Sequence, residues 1–161
     1  MDTKSLSSEA RVWIYQAGKR LTENEKKEIL RRANDFVRNW STHGTVLKAN
    51  AQILYDVFLV LSADENDVEA SGCSIDKSLR FIKQLEHDFQ ISLLDRQTIA
   101  MLKDSEVHLL DLSTFKTQIN TGKIGKDSII FNNLVNTIHQ METNWKIPVS
   151  KSWLKKYLSD N

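Results

Sequence analysis

Three short stretches carry residue types that could do chemistry. The first, Ser71-Gly72-Cys73-Ser74-Ile75-Asp76, holds the chain's one cysteine between hydroxyls and ahead of a carboxylate. With Ser74 read as the N-cap of a following helix, Cys73 stands just outside the helix N-terminus. Free amides and the positive end of the helix dipole favour an anion there, and they would raise the thiolate fraction of Cys73. Gly72 would let a ligand approach the backbone closely. The structural alternative is a turn followed by a cap, with Cys73 a small buried hydrophobe.

The second stretch, Trp40-Ser41-Thr42-His43-Gly44, closes a helix. A histidine there is stabilised when protonated by the negative dipole end. It could act as a general base toward Cys73 or toward a bound ligand, or simply cap the helix ahead of a C′ glycine. The third is Phe131-Asn132-Asn133-Leu134. Two adjacent amides at a strand end offer donors and acceptors to a ligand edge, and they equally suit a turn or a helix cap. Trp145-Lys146-Ile147-Pro148 and Ser152-Trp153 add an aromatic C-terminal segment, suited to a stacking surface or to anchoring terminal helices on the core. Convergence of His43, Cys73 and Asn132 on one concave pocket would mark a site. Dispersion would return them to capping and turn duty.

Several common chemistries lack their local geometry. Nothing fits G-x-x-x-x-G-K-[ST]; the nearest stretch, Gly122-Lys123-Ile124-Gly125-Lys126-Asp127-Ser128, has the wrong spacing. No G-x-G-x-x-G follows a strand, no H-E-x-x-H occurs, and a lone cysteine forms no Cys pair for zinc. His43, His87, His108 and His139 are scattered, and no G-x-S-x-G elbow is present. No metal and no cofactor is expected.

The elements that must position these residues follow from periodicity. Residues 11–16 alternate weakly and read as a strand. Thr22-Glu23-Asn24-Glu25 is a capping box, and Ile29, Leu30, Ala33, Phe36, Val37 and Trp40 form one stripe of the helix it opens. Residues 46–55 and 57–63 read as two strands, and residues 63–69 as an acidic exposed loop. Ile75, Leu79, Ile82, Leu85 and Phe89 predict a helix over 75–90. A hairpin follows around Asp104-Ser105-Glu106, then a short helix over 113–121 ending at Gly122. One more strand is expected over 128–131, a helix over 134–145, and a last helix capped by Ser150. The order predicts an α+β domain spanning residues 1–161, with a mixed, mainly antiparallel sheet and helices packed on it. A ferredoxin-like arrangement is one expectation for the first part, and helix followed by hairpin occurs twice, as in a duplicated unit.

Bulk properties set outer bounds. A chain of 161 residues buries roughly 70% of its unfolded surface and needs no staple. Its 22 basic and 21 acidic residues give a net charge of +1, which provides no field to steer nucleic acid or an anionic membrane. Lys155 and Lys156 beside Trp153 and Tyr157 are too few for a nucleic-acid surface. The single cysteine can form no intramolecular disulfide, so nothing points to an oxidising compartment. The opening residues lack a signal-peptide h-region, and the longest clean apolar run, residues 57–61, is far short of a membrane helix. A cytoplasmic location is expected.

Trp13-Ile14-Tyr15-Gln16, Trp40 with His43-Gly44, Gly72-Cys73-Ser74-Ile75-Asp76, Phe131-Asn132-Asn133-Leu134-Val135, and the closing Trp145, Pro148 and Ser152-Trp153 together carry a resemblance. The pattern resembles a family of small bacterial proteins labelled "ABC transporter ATPase" in genomes, from Arg11 to Leu158. The resemblance implies a bacterial, cytoplasmic domain and brings no catalytic residues with it. Its label does not transfer as a function, because a transporter ATPase needs the Walker loop and a Leu-Ser-Gly-Gly-Gln-type signature, and both are missing here. The expectation is therefore a non-enzymatic protein binding a small anionic ligand or a protein partner near Gly72, Cys73, Ser74 and Asp76, with His43, Asn132 and Asn133 as further ligand candidates. The alternative is a thiol-dependent enzyme with Cys73 as nucleophile and His43 as base; ATP hydrolysis is a weaker third.

Overall fold

Every residue from Val57 to Ala63 is buried, although strands usually alternate. Both faces of this strand are covered, and that explains the unbroken apolar run. In the computed structural model of the chain, which describes residues 6–65 and 70–158, the element order is β1 (Arg11–Gln16), α1 (Glu23–Asn39), β2 (Ser41–Thr42), β3 (Thr45–Val46), β4 (Lys48–Leu54), β5 (Phe58–Asp64), α2 (Gly72–Phe89), β6 (Ile99–Lys103), β7 (Glu106–Leu110), α3 (Leu112–Asn120), β8 (Ile129–Phe131), α4 (Ile138–Asn144) and β9 (Lys146–Pro148). Residues 66–69 of the acidic loop lie outside the described residues.

Two antiparallel sheets face each other. The first has the order β1-β5-β4 and the second β7-β6-β8-β9. On β5, Leu59, Leu61 and Ala63 point toward α1 and α2, packing with Ile29, Ala33, Val37, Ile82 and Leu85. Phe58 and Val60 point the other way, onto Ala100, Val107 and Phe131 of the second sheet and onto Trp145 just before β9. The far face of that sheet carries Ile99, Met101 and Ile130 against Phe115 of α3 and Leu154 near the C-terminus. The layers therefore run helices, sheet, sheet, then a short helix with 3₁₀ turns, an α+β architecture. The period-2 alternation of β5 serves two cores at once.

The first half has the strand-helix-strand-strand-helix order of a split β-α-β unit, with β5 inserted between β1 and β4. The strand that would complete a ferredoxin-like sheet, β6, pairs in the second sheet instead. The outer edge of β1 is covered by residues 136–138: Val12 N–H donates to Asn136 O at 3.0 Å and Ile138 N–H to Ala10 O at 2.9 Å. Covering an edge in this way removes a template for unwanted pairing. The two halves are not a duplication, since the first inserts its last strand centrally and the second builds outward on both sides of β6.

The capping box forms as the spacing predicts. Thr22 Oγ1 accepts from Glu25 N–H at 3.1 Å, and Glu25 Oε1 accepts from Thr22 N–H at 2.9 Å. Lys19 and the Thr22 amide hold the Glu25 carboxyl below the usual carboxylate range. The helices α1 and α2 are joined by a stacked Phe36–Phe81 pair at 4.6 Å and by Arg32 to Asp88 at 2.9 Å. The hairpin expected at Asp104-Ser105 is present with positive φ at both turn residues, 53° and 65°. That is the turn handedness that matches strand twist.

The C-terminal expectations need correction. Residues 134–137 are not helical: Asn132 Oδ1 accepts from Leu134 N–H at 3.2 Å and starts a turn, and Thr137 caps α4 only from Ile138. Pro148 does not stop a helix but sits in β9, an edge strand where the missing N–H breaks no central ladder. The last expected helix is a pair of 3₁₀ turns, Val149–Lys151 and Trp153–Tyr157, with Ser152 as the cap of the second.

Phe58 touches Phe131 and Trp145 at ring separations of 4.8 and 4.9 Å. Phe58→Ala is expected to cost about 3–5 kcal/mol in chemical denaturation, and exposed Thr22→Ala about 1 kcal/mol. The Glu25 pKa is lowered on folding, so the carboxylate's contribution is complete above about pH 4.3 and lost as pH falls through its depressed value. The thermal gap between wild type and Glu25→Gln, which keeps the side-chain shape and loses the charge, should therefore narrow on acidification; an unchanged gap would exclude the Glu25 carboxylate as its source.

Candidate functional site

A cleft of about 280 Å³ opens where β1 ends, between the two sheets. Its walls come from four places in the chain: Ile14 to Gln16 of β1, the 93–98 loop leading into β6, the turn at Phe131 to Leu134, and Trp153. Ile14, Leu93, Ile99 and Phe131 supply apolar surface, and Gln16, Thr98, Asn132, Asn133, Asp95 and Arg96 supply polar groups.

A chain of hydrogen bonds builds the floor. Trp145 Nε1–H donates to Asn133 Oδ1 at 2.9 Å, Asn133 Nδ2–H donates to Gln16 Oε1 at 2.9 Å, and Gln16 Nε2–H donates to Thr98 O at 3.0 Å. Gln16 is only 7% exposed, so its amide would be costly without both partners. The indole only donates and the carbonyl only accepts, which assigns both amide orientations without ambiguity. Asn132 N–H donates to Trp145 O at 2.6 Å and fixes the turn beside it. The Trp145 ring is wedged against Phe131 at 4.8 Å and Phe58 at 4.9 Å.

The rim differs from the floor. Asn133 spends both ends of its amide in the chain above. Asn132 uses only its oxygen, toward Leu134 N–H, so its NH₂ group makes no hydrogen bond among the described residues. Arg96 is exposed and forms no ion pair among the described residues. Its charge still reaches Tyr15: burial pushes that phenol up, while a bond to Ser78 and the Arg96 guanidinium pull it down. Asp95, by contrast, is engaged by Gln97 N–H at 2.8 Å and the Thr98 hydroxyl at 3.1 Å. Trp153 is 51% exposed and Leu134 72% exposed, both at this cleft.

The cysteine segment stands elsewhere. Ser71, not Ser74, is the N-cap of α2, so Cys73 lies inside the first helical turn and is exposed. Ser74 is buried because it is a tertiary clasp: its hydroxyl donates to Ser41 O at 2.7 Å, and its carbonyl accepts from Trp40 Nε1–H at 2.8 Å. A Cβ on Gly72 would meet no protein atom within 4 Å, so no close packing demands glycine there. Asp76 is exposed on the same helix.

His43 does not cap α1 either. Trp40 leaves the helix in an extended conformation, and His43 and Gly44 form the turn of the β2–β3 hairpin with φ of 48° and 80°. This hairpin does meet the start of α2, through Ser41 and through Thr42 Oγ1, which accepts from Ser71 N–H at 3.2 Å. His43 itself is exposed and makes no hydrogen bond to Cys73. Asn132 and Asn133 line the cleft, whereas His43, Gly72, Cys73, Ser74 and Asp76 do not.

Sequence reasoning missed Gln16 and Arg96. Gln16 ends a strand and shows its role only through Asn133, 117 positions away. Arg96 sits in a loop with no motif around it. Among the described residues, no group of three or more His, Cys, Asp or Glu could hold a metal ion, and no helix is long and apolar enough to cross a membrane. No family model matches the chain, and no curated protein or solved structure matches it either.

Asn133→Ala would orphan the Trp145 indole and one end of the Gln16 amide together, an expected loss of about 2–4 kcal/mol in urea unfolding. Asn132→Ala, in a partly exposed turn, should cost less than about 1 kcal/mol. Equal losses for the two variants would contradict the division between floor and rim.

Proposed function

We propose that this protein binds a small anionic ligand in the cleft at the end of β1, without catalysing its conversion. One observation carries the reading: the guanidinium of Arg96, without an ion pair among the described residues, lines an apolar-walled recess together with the NH₂ group of Asn132. Ligand clefts combine apolar walls with a few convergent polar groups, and a cation without a protein counter-ion supplies the charge preference. The volume, about 280 Å³, falls at the lower end of the roughly 300–1,000 Å³ typical of such sites. It suits a molecule of one or two rings and is small for a dinucleotide.

Catalysis has less support. The cleft holds no cysteine or histidine among its lining residues. Cys73 lies on α2 and makes no hydrogen bond to His43 among the described residues, so no formed thiol–imidazole pair supports the thiol-enzyme alternative. The ATPase label of the resembling family lacks the Walker loop, and it adds nothing to the cleft.

The test is a thermal-shift screen of small anionic metabolites followed by calorimetry. A ligand at about 100 times its Kd should stabilise the fold by about 2.7 kcal/mol, and Arg96→Ala should abolish the shift while leaving the ligand-free melting point unchanged. A ligand that stabilises wild type and Arg96→Ala equally would place binding outside the cleft.

A further inference from the structure

We infer that the ligand of this cleft is a flat aromatic ring system bearing one anionic group, a carboxylate or a phosphate monoester. The inference rests on the reading of the cleft as a binding site and names its chemical class. Three features of the rim converge on it. Trp153, on a 3₁₀ turn, lines the cleft and is about half exposed. The other three tryptophans are otherwise engaged: Trp40 and Trp145 are buried, and Trp13 packs edge-on to Trp40 at 5.2 Å. Trp153 has no ring partner among the described residues; Tyr15 and Phe89 have none either, but both are partly buried, Phe89 with Arg32 over its ring. An indole face left open at a cleft is a stacking platform for another π system.

Arg96 gives the second feature. A guanidinium recognises a planar or tetrahedral oxyanion through two parallel N–H donors. Asp95, its neighbour, also lines the cleft and keeps its charge, but its carboxylate is turned onto Gln97 and Thr98 and makes no ion pair with Arg96 among the described residues. The guanidinium donors therefore stay open to one oxyanion of a ligand. The third feature is Asn132, whose NH₂ group is a directed donor for a ring heteroatom or a second oxygen of the anion. The walls between these groups, Ile14, Leu93, Ile99 and Phe131, are apolar, which favours a ring over a hydroxylated chain such as a sugar acid.

The probes are 2-naphthoate and 2-naphthyl phosphate, set against 2-naphthamide, which keeps the ring and loses the charge, and decahydro-2-naphthoate, which keeps the charge and loses the π system. Binding is read by ¹H–¹⁵N chemical shifts of the Trp153 indole and the Asn132 side-chain amide. The expected result is saturable shifts at both groups with one or both aromatic anions, and at least about tenfold weaker binding of the amide and of the saturated acid. Which of the two aromatic anions binds more tightly distinguishes carboxylate from phosphate. Trp153→Ala and Arg96→Ala, both on the surface, should each weaken binding at least about fivefold with unchanged melting points. Equal binding of the saturated acid would overturn the aromatic assignment while leaving an anion site in place. Equal binding of the naphthamide would overturn the anion assignment. Shifts at neither group with any of the four probes would overturn the inference, and the metabolite screen with Arg96→Ala would then decide the cleft reading by itself.

Discussion

The indole of Trp145 can only donate and the Thr98 carbonyl can only accept, and between them Asn133 and Gln16 have one consistent arrangement. This partly buried polar chain is the constraint on which the rest of the arrangement turns. It crosses the interface between the two sheets, joining β1 of the first to segments gathered at one end of the second. The apolar contacts around it, among Phe58, Val60, Ala100 and Phe131, are strong but tolerant of sliding. The amides are not tolerant. A shift of one residue in β1 would carry Gln16 to the opposite face and leave two buried groups without partners. Apolar packing thus supplies most of the cohesion, and the hydrogen-bond chain selects one register for it.

The same constraint positions the cleft. Gln16 is the last residue of β1, and Asn133 lies in the turn after β8. Tying them together holds the end of β1 against the turn while the 93–98 loop runs past. The hollow between these segments persists because its floor is hydrogen-bonded and its sides are side chains already committed to a core. Glu86 contributes from α2: its carboxylate accepts from Leu93 N–H at 2.8 Å and Leu94 N–H at 3.2 Å, which fixes the start of the loop that carries Arg96. A recess held in this way undergoes little ordering when a ligand enters, which is a saving in binding free energy.

Much of the fold was legible in the chain because the signals were local. The Thr22–Glu25 box, the 3.6-residue stripes of α1 and α2, and the Asp104-Ser105 turn each sit within a few residues of what they specify. The reading failed where several local solutions compete. Ser71 and Ser74 are both acceptable N-caps, and the choice is made by Ser41, whose carbonyl recruits the Ser74 hydroxyl from more than thirty positions away. His43-Gly44 satisfies a helix terminus as well as a hairpin turn, and Trp40 decides by leaving the helix early to place its indole on Ser74 O. Asn132-Asn133 was visible as a pair, but the difference between its members was not. Only tertiary partners separate the amide held at both ends from the one with a free NH₂. Arg96 carried no signal, since an unpaired loop arginine is defined by what the fold keeps away from it.

That division between saturated and unsaturated groups has a consequence for how such a site can change. Gln16 and Asn133 line the cleft, yet each already holds one bond at its amide oxygen and one at its amide nitrogen, shared among each other, Trp145 and Thr98. They cannot turn their amides toward a ligand without breaking the joint between the sheets. Discrimination therefore falls to Arg96, Asn132 and Trp153, none of which supports the core. Substitutions there alter charge, hydrogen-bonding capacity and stacking surface at little cost in stability, whereas substitutions in the floor act first on folding. A scaffold built this way separates specificity from stability by a single layer of side chains. Because the rim residues come from three separate segments, each could be replaced without moving the other two.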